Sequence, residues 1–154
     1  YQFAQSKKLT VADAAHRAML AYCQESSQSP EAGGVLLGRF LLESDDIVID
    51  ETTYPQKKDT RRRFWFFRSS QHDKIAKARW KESGGKVAYL GLWHTHPEEH
   101  PTPSGVDLHD WQKALKKDAF DGAYLFFIIV GTSSIGCWFG TRDGAITKLE
   151  LTHG

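Results

Sequence analysis

His94-Thr95-His96-Pro97-Glu98-Glu99-His100-Pro101-Thr102-Pro103-Ser104-Gly105-Val106-Asp107 is the stretch on which both the fold and the chemistry of this chain turn. Two histidines two positions apart on an extended segment direct their imidazoles to the same side, close enough to share one metal ion. Pro97, Pro101 and Pro103 fix backbone angles and exclude a regular helix, so the pair runs into a stiffened loop. Ser104 predicts an N-cap. Asp107 then lies in the first turn of a helix whose N-terminus that loop can aim back at the histidines. Two imidazoles and one carboxylate are three protein ligands, the number found in hydrolytic zinc centres with an open fourth position, whereas a structural zinc is normally closed by four.

Amide hydrolysis at such a centre needs a further group to take the water proton and return it to the leaving nitrogen. Spacing alone leaves Glu31, Glu51, Glu98 and Glu99 as candidates. The Ser104 hydroxyl is placed to donate to an oxyanion, a role that competes with capping for the same side chain.

Working outward, Val11, Ala14, Ala15, Ala18, Met19 and Tyr22 recur at three- and four-residue intervals, which predicts an amphipathic helix capped by Thr10 and ended by the polar stretch 26–30. Residues 34–42 and 47–54 are rich in Val, Ile and Leu and predict a hairpin around a turn at 44–46, with Glu31 just ahead of its first strand. A second helix is expected from Ser69 or Ser70 through Ile75, Ala76, Arg79 and Trp80, closing at Gly84-Gly85. Residues 87–93 read as a short buried strand leading to His94. A third helix bearing Val106, Leu108, Trp111 and Leu115 follows Ser104, and residues 123–130, 135–139 and 145–151 supply the last strands. Mixed helices and strands predict a layered α/β architecture, and 154 residues without repeat or linker predict one domain spanning 1–154.

The composition, 40% hydrophobic and 25% charged, is that of a folded globular chain. With 20 basic against 19 acidic side chains the formal net charge is +1, so no global field favours nucleic acid or an anionic membrane. Cys23 and Cys137 lack metal-type spacing and read as free thiols suited to a reducing compartment, and the absence of the Cys-rich zinc pattern argues against nucleobase deamination. The first eight residues have no signal-peptide core and the apolar run 124–130 is too short to span a bilayer, so a cytoplasmic location is the expectation. His100 and His109 have no matched partners and are expected at the surface. Arg61-Arg62-Arg63-Phe64-Trp65-Phe66-Phe67 is expected to be a solvated edge leading into a core strand rather than a nucleic-acid site; alternatively, it offers an edge to the tail of a protein substrate.

These residues resemble the JAMM, or MPN-plus, metalloproteases, whose signature is His-x-His, seven residues, Ser, two residues, Asp. His94, His96, Ser104 and Asp107 match it without gap or substitution. The family also carries a catalytic glutamate before a glycine-containing apolar strand, and Pro30-Glu31-Ala32-Gly33-Gly34-Val35-Leu36-Leu37-Gly38 is similar to that segment. The resemblance covers the chain from the first predicted helix to the third. It implies His94, His96 and Asp107 as Zn2+ ligands, Glu31 as acid/base, Ser104 as oxyanion stabiliser, and a cytidine-deaminase-like fold with a mixed central β-sheet flanked by helices.

Within that family the Arg-Phe-Trp-Phe segment and Gly-Leu-Trp-His-Thr-His-Pro are most similar to the stand-alone bacterial enzymes of CBASS anti-phage operons. Those reverse the conjugation of a cyclic-oligonucleotide synthase to target proteins. The implied substrate is a protein with a flexible C-terminal tail, a conjugated nucleotidyltransferase. The alternatives are a non-catalytic interaction scaffold of the same fold, and a peptidase processing a ubiquitin-like or sulfur-carrier protein.

Overall fold

The computed structural model describes residues 1–3, 7–26 and 28–152. In chain order its elements are β1 (Gln2–Phe3), β2 (Lys7–Val11), α1 (Asp13–Leu20), β3 (Gly33–Phe40), β4 (Ile47–Thr52), β5 (Thr60–Arg62), β6 (Trp65–Phe67), α2 (Gln71–Glu82), β7 (Ala88–Thr95), α3 (Gly105–Lys117), β8 (Tyr124–Val130), β9 (Ile135–Thr141) and β10 (Ile146–Leu149). Eight strands form one sheet in the order β1-β2-β4-β3-β7-β8-β9-β10. It is mixed: β2 with β4 and β7 with β8 run parallel, and the other pairs antiparallel.

Apolar side chains fill both faces of this sheet. Leu36, Ile49, Leu90, Trp93, Phe126 and Ile128 pack on one face with Met19 of α1, while Val35, Leu37, Leu92, Phe127 and Ile129 pack on the other with Trp111 and Leu115 of α3. A strand buried on both sides has no polar face, which is why 124–130 reads as an unbroken apolar run instead of an alternating one. The predicted α/β layering with a mixed sheet between helices is what the structure shows.

One irregularity sets the orientation of the histidine-bearing strand. Tyr89 pairs with Leu37 and Gly91 with Leu36, so β7 carries an extra residue opposite two consecutive residues of β3. Leu90 consequently falls on the α1 side and Leu92 on the α3 side, breaking the two-residue alternation. Gly91 occupies the bulge at φ 148°, where a Cβ would lie 1.7 Å from the Phe126 carbonyl oxygen, so no other residue fits without moving backbone. The bulge turns His94 toward α3, its ring 6.3 Å from that of Trp111.

Several sequence expectations change. Thr10 caps nothing: it lies in β2, in parallel register with Val48, and α1 starts at Asp13 with Ala12 at the cap position and no side-chain cap. The β propensity of Leu9-Thr10-Val11 joins this segment to the sheet, and Tyr22 falls beyond the helix end. The 34–42/47–54 hairpin and the helix closed by Gly84-Gly85 are present, although Ser70 makes no side-chain cap and the one fully buried side chain of α2 is His72, with Trp80 exposed. Val106 and Leu108 of α3 are exposed, leaving Trp111, Ala114 and Leu115 on the packed stripe. Residues 61–67 do not lead into a core strand. They form a separate two-stranded sheet, β5 with β6, whose Phe64 and Phe67 are exposed and whose Phe66 lies against the Gly33 position and the His72 ring.

Candidate metal centre

β7 ends at the centre of the sheet, and the His96 amide extends the ladder by donating to the Val130 carbonyl at 3.0 Å. The Nε2 atoms of His94 and His96 are 2.9 Å apart, and both rings are buried. Asp107 is brought to them by a reciprocal capping box at the start of α3: its amide donates to Ser104 Oγ at 3.1 Å and its Oδ2 accepts from the Ser104 amide at 2.8 Å. Its Oδ1 then lies 3.2 Å from His94 Nε2 and its Oδ2 3.0 Å from His96 Nε2. Ligand atoms sharing a tetrahedral zinc at about 2.0–2.1 Å stand roughly 3.3 Å apart. The observed separations of 2.9–3.2 Å therefore fit one small divalent cation after a slight outward adjustment.

The four carboxylates left open by spacing separate clearly. Glu51 is held as a two-pronged pair by Arg79 at 2.9 and 2.8 Å, and Glu99 is exposed in the proline loop. Glu98 lies 2.7 Å from Nδ1 of His96, on the side of the ring away from Asp107, where it fixes the tautomer instead of reaching the open face. Glu31, 5% exposed, lies with the histidines: among the described residues it, His94 and His96 each offer a ligand atom within 4.8 Å of one another. The register brings its segment to the site, because Gly33 pairs with His94 and Glu31 stands two residues ahead of Gly33.

Electrostatics differentiate these groups. Burial pushes the Glu31 carboxyl up to about 7, with the Asp107 and Glu98 charges adding to the rise and His96 opposing it. Burial would also raise Asp107, but its contacts with His94 and His96 and the Ser104 amide hold it well below the usual carboxylate range. Burial works against a charged His96, and hydrogen bonds to Asp107 and Glu98 win, leaving it above its ordinary value. Ser104 is exposed, and its capping bond uses an acceptor lone pair, so its hydroxyl proton stays free to donate. Capping therefore does not exclude donation. His100 and His109 are exposed as expected, His100 bonding Ser134.

A profile of the family described as "Prokaryotic homologs of the JAB domain" matches residues 13–140, from the start of α1 into β9. The chain belongs to this JAB-domain family. The match takes in the whole converging cluster of Glu31, His94, His96, Ser104 and Asp107. A Pseudomonas aeruginosa protein named "CD-NTase/cGAS isopeptidase" is 38% identical over 74% of this chain and 71% of its own length. Proteins of the same name from Vibrio cholerae and Escherichia coli are each 31% identical, over 81% and 84% of this chain and 76% and 80% of their own lengths. A solution structure of a Desulfitobacterium hafniense protein superposes with a TM-score of 0.64 at 21% identity, covering 92% of this chain and 90% of that one, and it shares the fold.

A buried cluster behind the JAB-domain site has no counterpart in the sequence reading. Nε2 of His72 is 2.6 Å from Asp59 Oδ2, and Nδ1 is 2.5 Å from the Thr53 hydroxyl, which accepts from the Val35 amide at 2.8 Å. Trp93, next to His94, donates to the Thr53 carbonyl at 3.0 Å. The cluster anchors the 53–72 segment to the strands that carry the site. Its three polar members are 6, 13 and 19 positions apart with no motif spacing, so nothing in the chain marked them.

Proposed function

We propose that this JAB-domain protein is a zinc-dependent isopeptidase that acts in the cytoplasm, within an anti-phage operon, to release a nucleotidyltransferase conjugated through its flexible C-terminal tail. The convergence of both Nε2 atoms and the Asp107 carboxylate, with Glu31 alongside, carries this reading. The name shared by the relatives at 31–38% identity, CD-NTase/cGAS isopeptidase, supports the substrate.

His94, His96 and Asp107 would hold the ion, and zinc bound there would supply an acidified water and a Lewis acid for the scissile carbonyl. Glu31, poised near neutrality by burial, takes the proton of the attacking water and delivers it to the leaving amine nitrogen. Ser104 donates its free hydroxyl proton to the oxyanion of the tetrahedral intermediate. The solvent-exposed side chains of the β5–β6 hairpin, whose Arg62 carbonyl holds the Glu31 amide, contact the extended tail of the substrate.

Zinc content and cleavage of a lysine-linked nucleotidyltransferase conjugate test this reading together. The Glu31→Ala protein should bind one zinc and cleave nothing, while His94→Ala should lose the metal. Normal turnover by Glu31→Ala would refute it.

A further inference from the structure

We infer that Gln24 is a positioning residue: its buried amide ties Glu31 to the histidine-bearing strand from the face of the sheet opposite the metal centre. This rests on the reading of Glu31 as the acid/base.

Gln24 lies between α1 and β3 and is 2% exposed. A buried primary amide must place two N–H donors and a carbonyl oxygen, and this one satisfies all three. Nε2 donates to the Ser29 carbonyl at 2.9 Å and the Arg63 carbonyl at 2.7 Å, and Oε1 accepts from the Thr95 hydroxyl at 3.1 Å. The orientation is forced, since the two carbonyls need donors. Thr95 has a spare proton because its oxygen already accepts from the Ala32 amide at 2.9 Å.

These three contacts surround the peptide unit of Glu31. The Glu31 amide donates to Arg62 O at 2.6 Å, and its carbonyl accepts from Arg61 Nε at 3.0 Å, so the β5–β6 hairpin grips it from one side. On the other side Ala32 exchanges two hydrogen bonds with Thr95: its amide to the hydroxyl, and its carbonyl from the Thr95 amide at 2.9 Å. Thr95 stands between the two histidines and, by strand alternation, points to the opposite face from them. Gln24 joins the hairpin (Arg63 O), the approach to Glu31 (Ser29 O) and Thr95 in one side chain. Glu31 precedes the first residue of β3, so the ladder alone does not place it.

Gln24→Met keeps the shape of the side chain and removes every hydrogen bond. In the metal-free protein the amides of Glu31 and Ala32 should exchange at least about 10-fold faster, while that of His96, bonded to Val130 O, keeps its rate. The variant should still take up one zinc per chain, with kcat on the conjugate down about 10- to 100-fold and KM within about 2-fold. In a Glu31→Gln background the same substitution should cost nothing further, because the group it positions is already lost. Thr95→Val, which deletes the hydroxyl, should repeat this pattern and serves if Gln24→Met does not fold; Thr95→Ser should recover most of the rate. An equal loss in the Glu31→Gln background, or exchange at His96 rising along with Glu31, would overturn the proposal. Failure of the wild type to cleave would count against the isopeptidase reading alone, since the exchange measurement needs no substrate.

Discussion

Oε1 of Glu98 lies 2.7 Å from Nδ1 of His96, so the ring's outer nitrogen is committed and Nε2 is left to face His94 and Asp107. Partners of this kind orient the ligand and raise its basicity. Replacing Glu98 by Ala should weaken zinc binding toward the lower end of the roughly 10- to 100-fold range for such contacts, because the Glu98 side chain is 48% exposed and water can substitute for it. Competition with a chromophoric chelator measures this; unchanged affinity would remove Glu98 from the centre.

Zinc binding near pH 7 should release protons. His96 holds its proton more tightly than an ordinary imidazole, and Glu31, raised to about 7, is partly protonated in the metal-free protein at neutrality. A cation competes with those protons, and affinity must fall as pH drops. Calorimetry in two buffers of different ionisation enthalpy gives the proton count directly. A count of zero or a net uptake at pH 7 would contradict this electrostatic description.

Asp59 should support stability in a pH-dependent way. Burial would raise the Asp59 carboxyl, but hydrogen bonds from the Gln56 amide, His72 and Ser69 outweigh it and hold it below its ordinary 3.8. A depressed carboxylate contributes stability that is present above the unfolded value and is lost as pH falls through the folded one. With the Asp59 and His72 side chains 0–1% exposed, Asp59→Asn should cost about 1–3 kcal/mol at pH 7. The gap between wild type and variant in urea midpoints should narrow steadily below pH 4; a constant gap down to pH 2 would show that the charge plays no part.

Gly91→Ala should be among the most damaging single-methyl additions in the chain. The new Cβ would meet backbone, the Phe126 carbonyl, at 1.7 Å and at a φ of 148° that side chains avoid. A loss at or above the upper end of the about 1–3 kcal/mol typical of overpacking is expected, accompanied by weakened zinc binding as the strand beyond the bulge shifts. Adding the same methyl at Gly84, where nothing lies within 4 Å but φ is 66°, should cost only about 1 kcal/mol. Equal losses at the two positions would exclude the backbone clash as the cause.

Arg62→Glu tests the hairpin as the docking edge for the substrate tail. Arg62 is exposed and its carbonyl, not its side chain, contacts Glu31, so the fold should tolerate the change. Cleavage of the folded conjugate should fall several-fold, with cleavage of a short peptide retained. No change in either assay would move the docking surface elsewhere.

Much of the centre was legible before folding because its members are close in sequence. His94 and His96 are two apart on one strand end, and Ser104 and Asp107 are three apart at a helix start, so local backbone geometry alone orients each pair. Spacing admits four carboxylates for the acid/base; the antiparallel register of β3 with β7 carries the Glu31 segment to the histidines, and hydrogen bonds from the hairpin and Thr95 fix its place there. The third helix and the 34–54 hairpin were likewise readable from periodicity, although of the predicted stripe only Trp111 and Leu115 pack inward while Val106 and Leu108 face solvent. Thr10, read as a cap, became part of a strand because sheet pairing with Val48 outweighed the local signal.

By itself the sequence determined which candidate ligand types this protein presents and that a strand, a proline-rich loop and a capped helix carry them, since those are short-range consequences of residue type and spacing. Only the tertiary structure decided which way they face. A one-residue bulge at Gly91 reverses the side to which β7 points His94, and a hydrogen-bond network from Gln24, Thr95 and the hairpin sets where Glu31 stands. Both depend on partners tens of residues distant, whose pairing is settled by burial of the whole sheet and leaves no periodic mark on the chain.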